Sequence, residues 1–160
     1  MRKKIIVANW KMNFLKSDVE KYLENFLDLH KTIKTKSDIV FCSPFLYLQM
    51  LTHGFKGTNI FVGAQNMSEH EFGAYTGEVS APMLYSLNIS HCIIGHSERR
   101  QYNKESNEQL AQKVNNALKH SIVPIFCCGE SIAQRNANIH YDIIESQLNE
   151  SLFHLSPEQI

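Results

Sequence analysis

The stretch His91-Cys92-Ile93-Ile94-Gly95-His96-Ser97-Glu98-Arg99-Arg100 passes from a short, nearly continuous apolar run into a glycine and then a dense polar cluster. An apolar run without polar alternation suits a strand buried on both faces of a parallel sheet. Polar groups gathered just after such a strand fall at its C-terminal end, where α/β folds bind their ligands. The same design recurs at Ile5 to Asn9, Ile39 to Ser43, Ile60 to Ala64 and Ile122 to Cys127, and each run is predicted to be a buried parallel strand.

Helical patterns lie between these runs. Val19, Tyr22, Leu23, Phe26 and Leu27 form a stripe at helix spacing, with Ser17 and Glu20 as a capping box at its start. Ser80 with Pro82 just inside marks a short helix before the fourth strand. Ser106 is the expected N-cap of a helix carrying Leu110, Val114, Ala117 and Leu118, and a further helix spans about Tyr141 to Phe153 with Ile144, Leu148 and Leu152 on one face. Ser156-Pro157-Glu158-Gln159 has the make-up of another helix start, so a new element is expected there.

Strand and helix thus alternate about every 30 residues, which defines an α/β chain of about five βα units. Two architectures use that order: an open doubly wound sheet, and an eight-unit barrel of about 250 residues. At 160 residues the length favours the open sheet, but neither G-x-G-x-x-G nor G-x-x-x-x-G-K-[ST] follows any strand. With 43% hydrophobic and 20% charged residues, the composition is that of a globular chain, not a disordered or fibrous one. Sixteen basic and sixteen acidic residues cancel, without the basic excess of a general nucleic-acid binder or of a protein drawn to anionic membranes. Cys42, Cys92, Cys127 and Cys128 show no C-x-x-C spacing and read as reduced, mostly buried thiols of a cytosolic protein. The basic start Met1-Arg2-Lys3-Lys4 precedes an apolar run too short for a signal peptide, and no stretch approaches a membrane span.

The chemistry-bearing residues gather where strands end. Asn9-Trp10-Lys11 follows the first strand, Gly63-Ala64-Gln65-Asn66 the third, and a long loop then carries Gly73-Ala74-Tyr75-Thr76-Gly77-Glu78. His96 to Arg100 follow the fourth strand and Cys127-Cys128-Gly129-Glu130 the fifth. Singly, each has an ordinary explanation: Lys11 as a surface lysine, His96 as a structural hydrogen-bonder, the cysteine doublet as thiols leading into a turn.

Jointly, Ala-Asn-Trp-Lys-Met-Asn at 8 to 13, Gly-Ala-Gln-Asn at 63 to 66, Gly-Ala-Tyr-Thr-Gly-Glu at 73 to 78, Ile-Gly-His-Ser-Glu-Arg-Arg at 94 to 100 and Cys-Gly-Glu at 128 to 130 occur in order. In this the chain resembles the triosephosphate isomerase family from its first residues to its last. The resemblance implies a (β/α)8 TIM barrel, with residues 1–160 forming a single partial barrel domain truncated to about five βα units. It also implies an enzyme, an intramolecular aldose-ketose isomerase that interconverts dihydroxyacetone phosphate and glyceraldehyde 3-phosphate through an enediol, in glycolysis and gluconeogenesis. A cytoplasmic homodimer acting on a small phosphorylated triose is expected, with no cofactor, metal, nucleic acid or membrane.

Carried over by motif, Asn9 and Lys11 are expected at the substrate, the lysine ammonium stabilising phosphate and enediolate charge. His96 is expected as the electrophile that donates to substrate oxygen, and the resemblance implies that it is held neutral by a helix N-terminus, as in that family. Glu98 is the expected acidic partner of the lysine. Gln65, Tyr75, Thr76 and Glu78 are expected at the dimer interface, where the family's loop inserts beside the partner's asparagine and lysine.

Cys127-Cys128 departs from the family, which often has an aliphatic residue beside its cysteine. The family's general base is a glutamate after the sixth strand, followed by a hinged lid, and loops six to eight hold the phosphate; residues 1–160 hold no counterpart of these. Glu130, Glu145, Glu150 and Glu158 match the base only in residue type. Two readings follow: part of a complete isomerase, or an inactive fragment or oligomerising half-barrel. Another phosphate-binding barrel chemistry is disfavoured by the His-Ser-Glu-Arg-Arg loop together with Asn-Trp-Lys.

Overall fold

The computed structural model of the chain describes residues 4–33 and 35–160; Met1, Arg2 and Lys3, most of the basic start, lie outside the described residues. Five strands, β1 (Ile5–Asn9), β2 (Asp38–Ser43), β3 (Ile60–Ala64), β4 (His91–Ile94) and β5 (Val123–Phe126), pair in sequence order. All four pairings are parallel, with Asn9 opposite Cys42, Cys42 opposite Gly63, Ala64 opposite Cys92 and Ile94 opposite Phe126. The helices are α1 (Lys16–His30), α2 (Leu48–Gly54), α3 (Ala81–Ser86), α4 (Ser97–Tyr102), α5 (Asn107–Lys119), α6 (Ile132–Asn136) and α7 (His140–Ser151). The result is a half-barrel of parallel strands alternating with helices.

Because strand side chains alternate between faces, the sheet builds two apolar layers. Phe41, Val62, Ala64, Cys92 and Ile94 pack with Val19 and Leu23 of α1, Leu48 and Leu51 of α2, Leu84 of α3, and Leu110 and Val114 of α5. The opposite face carries a smaller cluster of Val40, Cys42 and Ile93, flanked by Phe61, Ile125 and Cys127. Each fully buried aliphatic side chain contributes about 1.5–3 kcal/mol relative to exposure, so the helix-packed layer supplies most of the burial energy.

Local chemistry explains most of the boundaries. At α5, Ser106 Oγ accepts from the Gln109 N–H at 3.2 Å, so the N-cap expected from sequence forms, and the Gln109 side chain completes a capping box by accepting the Ser106 N–H at 3.0 Å. The box expected at Ser17 and Glu20 does not form: α1 starts earlier, and the Asp18 carboxylate accepts the Leu15 N–H at 2.8 Å. Asp18 is three residues beyond Leu15, the reach at which a carboxylate returns to the first exposed donor of the helix. Strands β1 and β5 are not buried on both faces as expected, since they are the edges of the described sheet; Ile5, Ile6, Val7 and Val123 are exposed. In α7 the Ile144, Leu148 and Leu152 stripe is only partly covered. Cys42 and Cys92 are buried as expected, but Cys128 is exposed. Among the described residues no helix is long and apolar enough to cross a membrane.

Candidate functional site

The loop leaving β1 is anchored by Trp10, which is buried and edge-on to Tyr22 of α1 and Phe41 of β2, while its N–H donates to the Cys42 carbonyl at 3.0 Å. That anchor presents Lys11, whose backbone is in the left-handed region at φ +53°. A non-glycine residue there is strained and needs outside support. The Lys11 N–H donates to Asn9 Oδ1 at 2.9 Å, and its carbonyl accepts Gln65 Nε2 at 3.0 Å. Gln65 Nε2 also donates to the Cys42 carbonyl at 3.0 Å, tying the ends of β2 and β3 to the Lys11 loop.

From that perch Lys11 Nζ donates to Glu98 Oε1 at 2.8 Å, joining the end of β1 to the first turn of α4 across 87 residues of sequence. The ammonium holds the Glu98 carboxyl below the usual carboxylate range. Both side chains are about half exposed, so the pair orients Lys11 and adds little to stability. His96, the N-cap of α4, receives the Glu98 backbone N–H on Nδ1 at 3.3 Å. The Glu98 carboxylate lies 3.4 Å from the same nitrogen. A backbone N–H is an obligate donor, so Nδ1 is the acceptor, the ring proton sits on Nε2, and the carboxylate's partner is Lys11.

Asn9, Lys11, Ser43, Gln65, His96 and Glu98 line one cleft of about 490 Å³ at the C-terminal ends of β1 to β4. The sequence-predicted Asn9, Lys11, His96 and Glu98 therefore come together. Gln65 joins them through its bonds to Lys11 and Cys42, whereas Tyr75, Thr76 and Glu78 stand exposed on the loop between β3 and α3. Tyr75 stacks on His70 with ring centroids 3.8 Å apart.

Sequence reasoning missed a second layer. Glu105, nearly buried, accepts Arg99 Nε at 2.6 Å and Lys113 Nζ at 2.7 Å; Lys113 also donates to Asn66 Oδ1 at 2.9 Å, and Asn66 lines the cleft. Removing one member of a buried ion pair costs about 3–5 kcal/mol, so this network fixes the floor under the cleft. The signal that could have found it is Lys113, a charged residue on the Leu110, Val114, Ala117 stripe. The Arg100 guanidinium also went unread, although it meets backbone carbonyls at the ends of both β4 and β5. Among the described residues no group of three His, Cys, Asp or Glu side chains is placed to hold a metal ion.

A parallel half-barrel whose lysine, histidine and asparagine converge at the strand ends is the ligand-handling face of a TIM-type barrel. Residues 4–160 match the sequence profile described as triosephosphate isomerase. A triosephosphate isomerase of Cytophaga hutchinsonii is 45% identical over 166 residues, covering 99% of this chain and 63% of its own length. One from Clostridium botulinum is 45% identical over 161 residues, and one from Caldanaerobacter subterraneus 44% over 160; each match covers all of this chain and 64% of the relative. The chain belongs to the triosephosphate isomerase family, and it spans just under two thirds of the length of these relatives.

Proposed function

We propose that residues 1–160 supply the oxygen-facing half of an isomerase site that interconverts dihydroxyacetone phosphate and glyceraldehyde 3-phosphate. The observation that carries this reading is the convergence of Lys11 Nζ and the His96 ring on one cleft, with Asn9 beside them. A carbon acid beside a carbonyl loses its proton only if the charge arriving on oxygen is met as it develops. His96 Nε2–H donates to that oxygen, and the Lys11 ammonium offsets the charge of the enediolate and of the phosphate. The carbon-bound proton goes to a carboxylate base, which by family resemblance follows a sixth strand; Glu98, already engaged by Lys11, serves the lysine. Proton return to the neighbouring carbon completes the isomerisation without net redox change or cofactor. Gln65, Tyr75, Thr76 and Glu78 belong to a homodimer contact, and the protein acts in the cytoplasm, in glycolysis and gluconeogenesis, without nucleic acid or membrane.

The test is a coupled turnover assay on two chains: residues 1–160 alone, and the same residues extended at the C-terminus with the remainder of the Clostridium botulinum relative. The extended chain is expected to turn over and the 160-residue chain to stay at the background of a Lys11→Met, His96→Gln double variant. An extended chain that folds and shows no turnover would support the inactive half-barrel instead.

A further inference from the structure

The β4–β5 ladder ends where the Cys127 N–H donates to the Ile94 carbonyl at 2.8 Å, leaving the carbonyls of Gly95 and Cys127 beyond the last rung. Both are taken by one side chain: Arg100 Nε donates to Gly95 O at 2.9 Å, and Nη2 donates to Cys127 O at 3.0 Å. A third donor, Nη1, reaches Asn107 Oδ1 at 2.8 Å, and the guanidinium lies over the Phe126 ring, 5.5 Å from its centroid. Asn107 is held in turn, its Nδ2 donating to Glu150 and its carbonyl accepting Ser151 Oγ. One planar fork thus ties the ends of two strands to α5 and, through Asn107, to α7.

The carbonyl of Gly95 belongs to the peptide that carries His96. Gly95 itself sits in the left-handed region at φ +76°, a conformation that favours glycine. If that carbonyl leaves the guanidinium, ψ of Gly95 and φ of His96 are freed, and any change in the two that does not cancel turns the His96 Cα–Cβ bond and moves the imidazole relative to Lys11. We infer that Arg100 is a positioning residue for His96, holding the Gly95–His96 peptide so that the imidazole faces the cleft. This rests on the isomerase reading, in which His96 is the group that donates to substrate oxygen. Lysine is no substitute: a single ammonium lacks the planar fork that meets three acceptors and stacks on a ring. Arg99, beside it, is committed to Glu105 and is not a spare.

The experiment uses the C-terminally extended chain. Arg100→Lys is expected to lower kcat about 10- to 100-fold, the scale on which an ångström of misplacement acts, with KM within about threefold. The His96 imidazole 15N spectrum is expected to lose its single Nε2-protonated form in that variant. Millimolar guanidinium is expected to restore part of kcat to Arg100→Ala, which general destabilisation would not allow. In the unsubstituted chain the two Arg100 Nη signals are expected to be distinct, reflecting hindered rotation; averaged signals overturn the proposal even if every variant fails to fold. An Arg100→Lys chain with kcat within twofold of the parent and an unchanged His96 spectrum also overturns it. His96→Gln separates the two readings: if it keeps full turnover the isomerase role of His96 fails, and if it loses turnover while Arg100→Lys does not, only the Arg100 inference fails.

Discussion

Replacing Gly95 by alanine tests how tightly the peptide before His96 is built. A Cβ on Gly95 would lie 3.0 Å from Arg100 Nη2, 3.0 Å from Cys127 O and 3.1 Å from Leu110 Cδ1, at φ +76°. Gly57 supplies the control, because its φ is +80° and a Cβ there meets nothing within 4 Å. At both positions a side chain in the left-handed region costs about 1–2 kcal/mol. Lower unfolded-chain entropy returns about 0.4–1 kcal/mol, so Gly57→Ala is expected to lose about 1 kcal/mol. Gly95→Ala adds an overpacking cost of about 1–3 kcal/mol, because its neighbours include a backbone carbonyl and a side chain fixed by three hydrogen bonds. The total of about 2–4 kcal/mol corresponds to a Tm loss of about 4–16 °C for a domain of this size, against about 2–4 °C for the control. Urea unfolding of the extended chain with each substitution reads the difference as a shift in midpoint at constant m-value. Equal losses at the two glycines would refute the claim that Arg100 and Cys127 crowd this turn.

Two further outcomes follow from the edges and the buried titratable groups. With Ile5, Ile6, Val7 and Val123 exposed on edge strands, residues 1–160 alone are expected to associate or aggregate, and a monodisperse monomer by light scattering with a cooperative thermal transition would contradict that. His91 is buried, its Nδ1 paired with Ser90 Oγ at 2.8 Å and its ring edge-on to Phe61, and burial pushes its pKa below the ordinary 6.5. The unfolded chain therefore takes up a proton that the native chain refuses, so the stability tied to neutral His91 is full above about pH 6.5 and is lost as pH falls toward the native value. The urea midpoint of the extended chain is expected to fall less steeply between pH 7 and about 5.5 in His91→Phe than in the parent; equal slopes would count against it.

The five strands were legible because strands of a parallel sheet write themselves as unbroken apolar runs; Ile5–Asn9 and Ile60–Ala64 fall where those runs predict, although the burial the runs imply holds for the second and not for the exposed first. The Ser106 cap was legible because a serine stands just before the Leu110, Val114, Ala117 stripe, and the structure adds Gln109, three residues on, as its capping-box partner. What escaped was non-local. Nothing in the sequence near Arg100 tells that two of its three acceptors are backbone carbonyls five and 27 residues away, and Glu105 reads as a surface acid until Lys113 and Arg99 are folded onto it. Short helices such as α4 and α6 also went unread, since six and five residues hold too few turns to display a periodic stripe. Asn9, Lys11, His96 and Glu98 could be gathered from sequence only by family resemblance, because spacing alone does not bring Lys11 to Glu98.

Whether His96 meets the charge developing on substrate oxygen is decided by kcat of the C-terminally extended chain with His96→Gln, measured beside its melting temperature. The expected result is a fall in kcat of about a hundredfold, the scale of one lost proton-transfer group, with the melting temperature nearly unchanged. An unchanged kcat with a lowered melting temperature would make His96 a structural residue that meets no charge on the substrate.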